Sequence, residues 1–237
     1  MHIPDGFING ATSAAAGVAA AGGVGYSLRQ TGRYLSERQV PLAGLVAAFV
    51  FAAQMFNFPV MSGMSGHLIG GVLAAVLVGP WAAYLVMAVV LFVQALFFAD
   101  GGLSALGLSI INMGLLAAVG GYAVYRVLLR FTARTSGGVP LAAGIAAFIS
   151  VPLAALGFVV QFAIGGTADI STGTVLTAMV GTHILIGIGE GILTALVIGA
   201  VMTSRPDLVY GAPAYVGERT EELVPHQIRF AAFRTAR

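Results

Sequence analysis

The chain opens with MHIPDG, and three candidate metal-binding nitrogens fall within its first two residues. The Met1 amine and the His2 amide nitrogen would close a five-membered chelate ring, and the His2 amide and its imidazole Nδ1 a six-membered one. An ion that displaces the amide proton is then held by three nitrogens in one plane, and its affinity depends on pH because binding releases ligand protons. Pro4 has no N–H and holds Ile3 extended, so both steer the chain away from the ion after residue 2. A flexible leader could also begin this way, and the rest of the chain has to decide.

Three further histidines follow. His67 lies after FNFPVMSGMSG and opens HLIGG, at the expected outer end of a short third helix. Alone, a histidine there reads as a hydrogen-bonded core residue; paired with His2 on the same side, it reads as a fourth nitrogen ligand. A square of four nitrogens suits Ni(II) or Cu(II), and low-spin Co(II) is also compatible. Met55, Met61 and Met64 raise a Cu(I) alternative through their thioethers, though their spacing suits plain packing. His183 and Glu190, seven residues apart in THILIGIGEGILT, share one face of a helix. An ionisable residue in a span is a functional candidate, here as proton relay, outer support of a metal site or buried polar pair. His226 sits in a polar tail and is assigned nothing. No nucleophile–base arrangement and no H-E-x-x-H signature occurs, so the chain does not read as an enzyme.

These residues need a membrane scaffold. Of the 237 residues 58% are apolar and 8% charged, against about 25% charged in soluble domains. A span needs roughly 20 apolar residues, and the pattern predicts an all-α integral membrane protein with seven helices over about 9–28, 40–57, 67–79, 81–98, 104–129, 139–164 and 175–202. The expected division is a membrane domain over 1–202 and a cytoplasmic polar tail over 203–237. Alanines four apart in the first two helices, such as Ala43 with Ala47 and Ala48 with Ala52, suit close helix approach, either within the bundle or against another subunit.

All eleven basic residues are arginine. Without lysine the chain lacks the Walker A lysine of a P-loop ATPase, so any pumping energy must come from a gradient or another subunit. Arg29, Arg33 and Arg38, then Arg126, Arg130 and Arg134, then Arg205, Arg219, Arg229, Arg234 and Arg237 form three clusters. With seven helices they fall on one side, which the positive-inside rule makes cytoplasmic. The N-terminus and the 58–66, 99–103 and 165–174 loops then lie outside. That basic face suits anionic lipid or a cytoplasmic partner rather than nucleic acid. The opening lacks the basic region of a signal peptide and carries Asp5, so a retained outer N-terminus is expected.

MHIPDGF, SGHLIGG, FADGGLSALGLSIINMG and HILIGIGEGILT resemble, in that order, the motifs of the CbiM/NikM family. These are the substrate-capture subunits (S-components) of energy-coupling-factor transporters for cobalt and nickel. The resemblance covers about residues 1–202. It implies a seven-helix fold in a prokaryotic cytoplasmic (inner) membrane, whose N-terminal segment inserts into the bundle so that Met1, His2 and His67 bind the transported ion. It also implies a transmembrane coupling subunit, cytoplasmic ATPase subunits and a small accessory membrane protein as partners. Family prevalence favours cobalt, for cobalamin synthesis. Asn112 matches the family pattern as a candidate outer support and Asp100 matches too, although loop capping would also explain Asp100. Ser109 departs, since the family often has Asn there. No permanent cofactor is expected. The competing reading is a gradient-driven or proton-coupled carrier using His183 and Glu190.

Overall fold

The structure is a computed structural model that describes residues 1–35, 39–61, 64–132 and 137–212. In order, the described elements are α1 (Gly10–Thr31), α2 (Val40–Gln54), a hairpin of β1 (Phe58–Met61) and β2 (Met64–Gly66), α3 (Gly71–Val78), α4 (Pro80–Phe97), α5 (Leu106–Thr132), α6 (Gly138–Gly165) and α7 (Thr172–Ser204). The middle of α5, Ile111–Gly120, is π-wound. Four of these helices, α4 to α7, are long and apolar enough to cross a membrane. Helix α1 reaches 22 residues but is built of Gly, Ala, Ser and Thr around few large apolar side chains. Helix α2 is apolar but has 15 residues.

Helix α3 departs from the expectation of a third span headed by His67. It holds eight residues, about 12 Å at 1.5 Å per residue, and starts four positions after His67. Its N-cap, Gly70, is left-handed at φ 74°, which glycine adopts freely. All eight residues are buried, so α3 meets protein rather than lipid. Irregular backbone at both its ends is tolerable inside a bundle only if its polar groups are satisfied. At the start, Glu190 and Gln54 provide partners, as described below. At the far end, the Gly211 and Tyr210 amides donate to the Val76 and Leu77 carbonyls at 2.9 and 3.3 Å. Tyr125 Oη in turn donates to the Gly211 carbonyl at 2.8 Å. The first residues after α7, expected as polar tail, thus fold back onto α3. Residues 213–237, with His226, lie outside the described residues.

The loop expected over 58–66 is an antiparallel hairpin, so the fold is helical with one small sheet. The side chains of Met61 and Met64 are outside the described residues, and Met55 is partly exposed. Helices α6 and α7 approach backbone to backbone: a Cβ on Gly144 would lie 2.8 Å from the Gly191 carbonyl, and one on Gly191 the same distance from the Gly144 carbonyl. Close approach of this kind is what small residues permit between membrane helices. On α2 the two alanine pairs separate. Ala43 and Ala47 are half-buried and packed on the core, whereas Ala48 and Ala52 are exposed.

Candidate metal site

The first nine residues run into the bundle instead of trailing from it. Met1 and Ile3 are fully buried and His2 is 5% exposed. Three successive anchors hold the segment. The Gly102 amide donates to the Ile3 carbonyl at 2.8 Å. Asp5 Oδ1 accepts from the Ser104 amide at 2.8 Å and from Ser104 Oγ at 2.5 Å, and these bonds hold the Asp5 carboxyl below its ordinary range. Thr167 Oγ1 donates to the Gly6 carbonyl at 2.5 Å and its amide to that of Phe7 at 3.1 Å, while the Asn9 amide donates to Gly165 at 2.7 Å. Ile8 pairs with Gly166 as a single antiparallel bridge. Asn9 then caps α1 by accepting the Thr12 amide at 2.9 Å, so the last residue of the inserted segment also starts a helix.

Insertion carries His2 to His67. The two imidazoles stack with centroids 4.6 Å apart and planes 27° from parallel. His67 is fully buried. Its Nδ1 lies 2.7 Å from the Leu68 carbonyl, an oxygen that can only accept, so Nδ1 carries the proton and Nε2 the lone pair. That Nε2 is buried without a hydrogen-bond partner, and so is His2 Nε2, although Asp100 Oδ2 stands 3.4 Å from the latter.

Burial strips these groups of protons. It lowers the Met1 amine from 8.0 to about 4 against the opposing pull of Asp100. It also pushes His2 and His67 well below 6.5, with the charge of the nearby terminus acting in the same direction. At neutral pH an amine and two imidazoles therefore face one another neutral, the form in which nitrogen binds a metal. Among the described residues no group of three or more His, Cys, Asp or Glu side chains could hold a metal ion.

The loop bearing His67 is clamped from two helices. Glu190 on α7 accepts the Ile69 amide on Oε2 at 2.5 Å and the Gly70 amide on Oε1 at 2.9 Å. Gln54 on α2 donates Nε2 to the Ile69 carbonyl at 2.7 Å. Glu190 is thus engaged with backbone, and His183 bonds through Nδ1 to the Met179 carbonyl at 2.6 Å. The pair, expected as proton relay, outer support of a metal site or buried polar pair, does not hydrogen-bond to each other. His183 nonetheless borders the loop: a Cβ on Gly66 would lie 3.4 Å from its Cε1. Asn112 is directed elsewhere. Its Nδ2 donates to Gln161 Oε1 on α6 at 2.9 Å, along a groove between α1, α5 and α6 of about 780 Å³. Ser109 is buried one helical turn before it.

Sequence reasoning missed Gln54, Ser104, Thr167 and also Asn57, whose Nδ2 donates to Asp100 Oδ2 at 3.0 Å. Each acts through a long-range hydrogen bond that no local pattern announces. Asp5 and the FADGG turn were the available signals for two of these contacts.

The profile of the CbiM family, described as a cobalt uptake substrate-specific transmembrane region, matches residues 2–208. A fused nickel transport protein, NikMN, of Rhodobacter capsulatus is 36% identical over 221 residues, covering 88% of this chain and 64% of that protein. A cobalt transport protein, CbiM, of Sorangium cellulosum is 36% identical over 176 residues, 71% of this chain and 76% of that protein. The crystal structure of a truncated transition metal transporter superposes with a TM-score of 0.79 at 30% identity, over 86% of this chain and 99% of its own.

Proposed function

The chain belongs to the CbiM family of cobalt uptake substrate-specific transmembrane regions, and from that premise we propose that it captures Co(II) or Ni(II) outside the cell for transport inward. Met1 supplies its amine, His2 its amide and Nδ1, and His67 its Nε2. One observation carries this reading: the inserted N-terminus places a fully buried amine and His2 against an imidazole whose Nε2 has no other partner. Imidazole nitrogen sits about 2 Å from zinc, and two rings 4.6 Å apart fit around one ion at a similar distance.

The ion leaves water for a buried cage, so release needs work. With no Walker lysine, that work falls to ATPase subunits acting through a transmembrane coupling protein, as in energy-coupling-factor transporters, with a small accessory membrane protein as a further partner. The protein resides in the cytoplasmic membrane with its N-terminus outside and its C-terminus inside. Arg29, Arg33, Arg126, Arg130 and Arg205 are all at or near the ends of α1, α5 and α7 away from the metal site, as that orientation requires. Cobalt is the favoured cargo, from family prevalence. The exposed faces of α1 and of α2 at Ala48 and Ala52 are candidate coupling contacts.

The test is metal titration of the purified protein with its native start and with one residue added ahead of Met1. The addition moves the amine and makes His2 third. Affinity for Ni(II) and Co(II) should collapse; equal affinity for both ions in the two proteins would remove the chelate.

A further inference from the structure

The turn between α4 and α5 aims one carboxylate at the inserted N-terminus. Asp100 Oδ2 stands 3.4 Å from His2 Nε2 and accepts a hydrogen bond from Asn57 Nδ2 at 3.0 Å. The Asp100 amide is tied to the Gln94 carbonyl at 3.1 Å. The backbone on either side is left-handed, with φ 52° at Ala99 and 94° at Gly101. Such a conformation is uncommon for alanine and persists only where the surroundings over-determine it. At Gly101 the surroundings are His2 itself: a Cβ there would lie 3.1 Å from His2 Cβ and 3.2 Å from its Nδ1. The turn is moulded to one side of the imidazole and presents a carboxylate to its far nitrogen. Loop capping does not account for this, because α5 begins without a side-chain cap.

We propose that Asp100 is a positioning residue: its carboxylate takes the Nε2–H of His2, fixing the tautomer that leaves the Nδ1 lone pair for the ion. Metal-binding histidines characteristically donate their other ring N–H to a carboxylate or carbonyl. Here the two imidazoles are fixed in opposite senses. The Leu68 carbonyl holds the proton of His67 on Nδ1, and Asp100 holds that of His2 on Nε2. The carboxylate has a second consequence. A divalent ion bound to one deprotonated amide and three neutral nitrogens keeps one positive charge, which the partly exposed Asp100 carboxylate beside His2 offsets. Asn57 holds the carboxylate in register. The charge-offset part rests on the metal-capture reading; the tautomer part stands without it.

The tautomer is read with no ion present, by ¹⁵N NMR of histidine-labelled protein in detergent. Wild-type His2 should show a single Nε2–H form. Asp100→Ala should convert it to a mixture, Asp100→Asn, which keeps an acceptor oxygen, should fall between, and Asp207→Ala should change nothing. Ni(II) titration of the same proteins should show affinity about 10–100-fold weaker for Asp100→Ala, the range for outer partners of metal ligands. If Asp100→Ala fails to fold, Asn57→Ala supplies the reading, with a smaller shift of the same sign. A wild-type His2 pattern in whichever of the Asp100→Ala and Asn57→Ala variants fold overturns the assignment. A wild type that shows the tautomer but binds neither Ni(II) nor Co(II) would instead sink the capture reading and leave the assignment of Asp100 to the NMR result.

Discussion

His2 and His67 stack with their ring centroids 4.6 Å apart, one ring on a segment that precedes every helix and the other on a loop between the second and third. Neither is placed by its own helix. The first is carried in by hydrogen bonds to the α4–α5 and α6–α7 turns, and the second is held by Glu190 and Gln54.

Loss of the His67 ring should therefore be far more damaging than loss of His226, which the proposed site does not use. His67→Ala should weaken Ni(II) and Co(II) binding by more than about 100-fold, beyond the range for an outer partner. His226→Ala should have no effect. Isothermal titration in detergent decides this, and comparable losses from the two would mean the ion sits elsewhere.

Insertion of the N-terminus should depend on pH. The Met1 amine falls from 8.0 to about 4 on burial, so between those values the withdrawn chain binds more protons than the inserted one. Insertion is then fully favourable above pH 8 and is disfavoured progressively down to about pH 4, by up to about 1.4 kcal/mol per unit. His2 and His67, both lowered by burial, act with the same sign below pH 6.5. Hydrogen exchange at the Gly102 amide, corrected for its intrinsic pH dependence, should accelerate from pH 8 to pH 5. A flat corrected profile would show that the amine is not buried.

Glu190 should matter to stability before it matters to transport. Its carboxylate holds two buried amides, and a hydrogen bond to a charged group contributes about 1.5–3 kcal/mol. Glu190→Ala should lower stability by roughly 3 kcal/mol or more, a fall in Tm of about 6–12 °C for a chain of this size. Glu190→Gln, which keeps one acceptor, should fall between. Wild-type melting of the alanine variant would rule out the clamp.

Gly101→Ala should displace His2. It adds a Cβ within 3.1–3.4 Å of that side chain and forces φ 94° on a residue that resists it, a strain of order 1–3 kcal/mol. Gly6→Ala is the matched comparison, since Gly6 also has positive φ, at 77°, but a Cβ there meets nothing within 4 Å. Both should lower Tm, but only Gly101→Ala should weaken metal binding about tenfold or more, by analogy with loss of an outer partner. Equal affinity of the two variants would separate the turn from the imidazole.

Helix positions were legible because apolar runs and Gly/Pro breaks are local. Helices α1, α2, α4, α6 and α7 begin and end within a few residues of the places the sequence suggested. The late start of the short α3 was not legible. LIGGVLAAVLV reads as one apolar run, and its first part is kept from helix by a carboxylate more than a hundred residues away, bonded to Ile69 and Gly70. The 58–66 hairpin was hidden for a related reason, since a strand pair so short depends on what it packs against.

The order of residues alone determined that this is a membrane chain, that it carries no cysteine thiolate, and that the amide and imidazole of His2 stand directly beside Met1. Those are matters of composition and of covalent neighbours, which no folding can alter. The tertiary structure decided which partners each group finds: Leu68 for His67, backbone amides for Glu190, Gln161 for Asn112, and the Asp100 turn for His2. Inside a bundle every buried polar atom must find a partner or remain costly. Which ones are left unpartnered, as His67 Nε2 is, depends on distances between segments that sequence neighbours do not set.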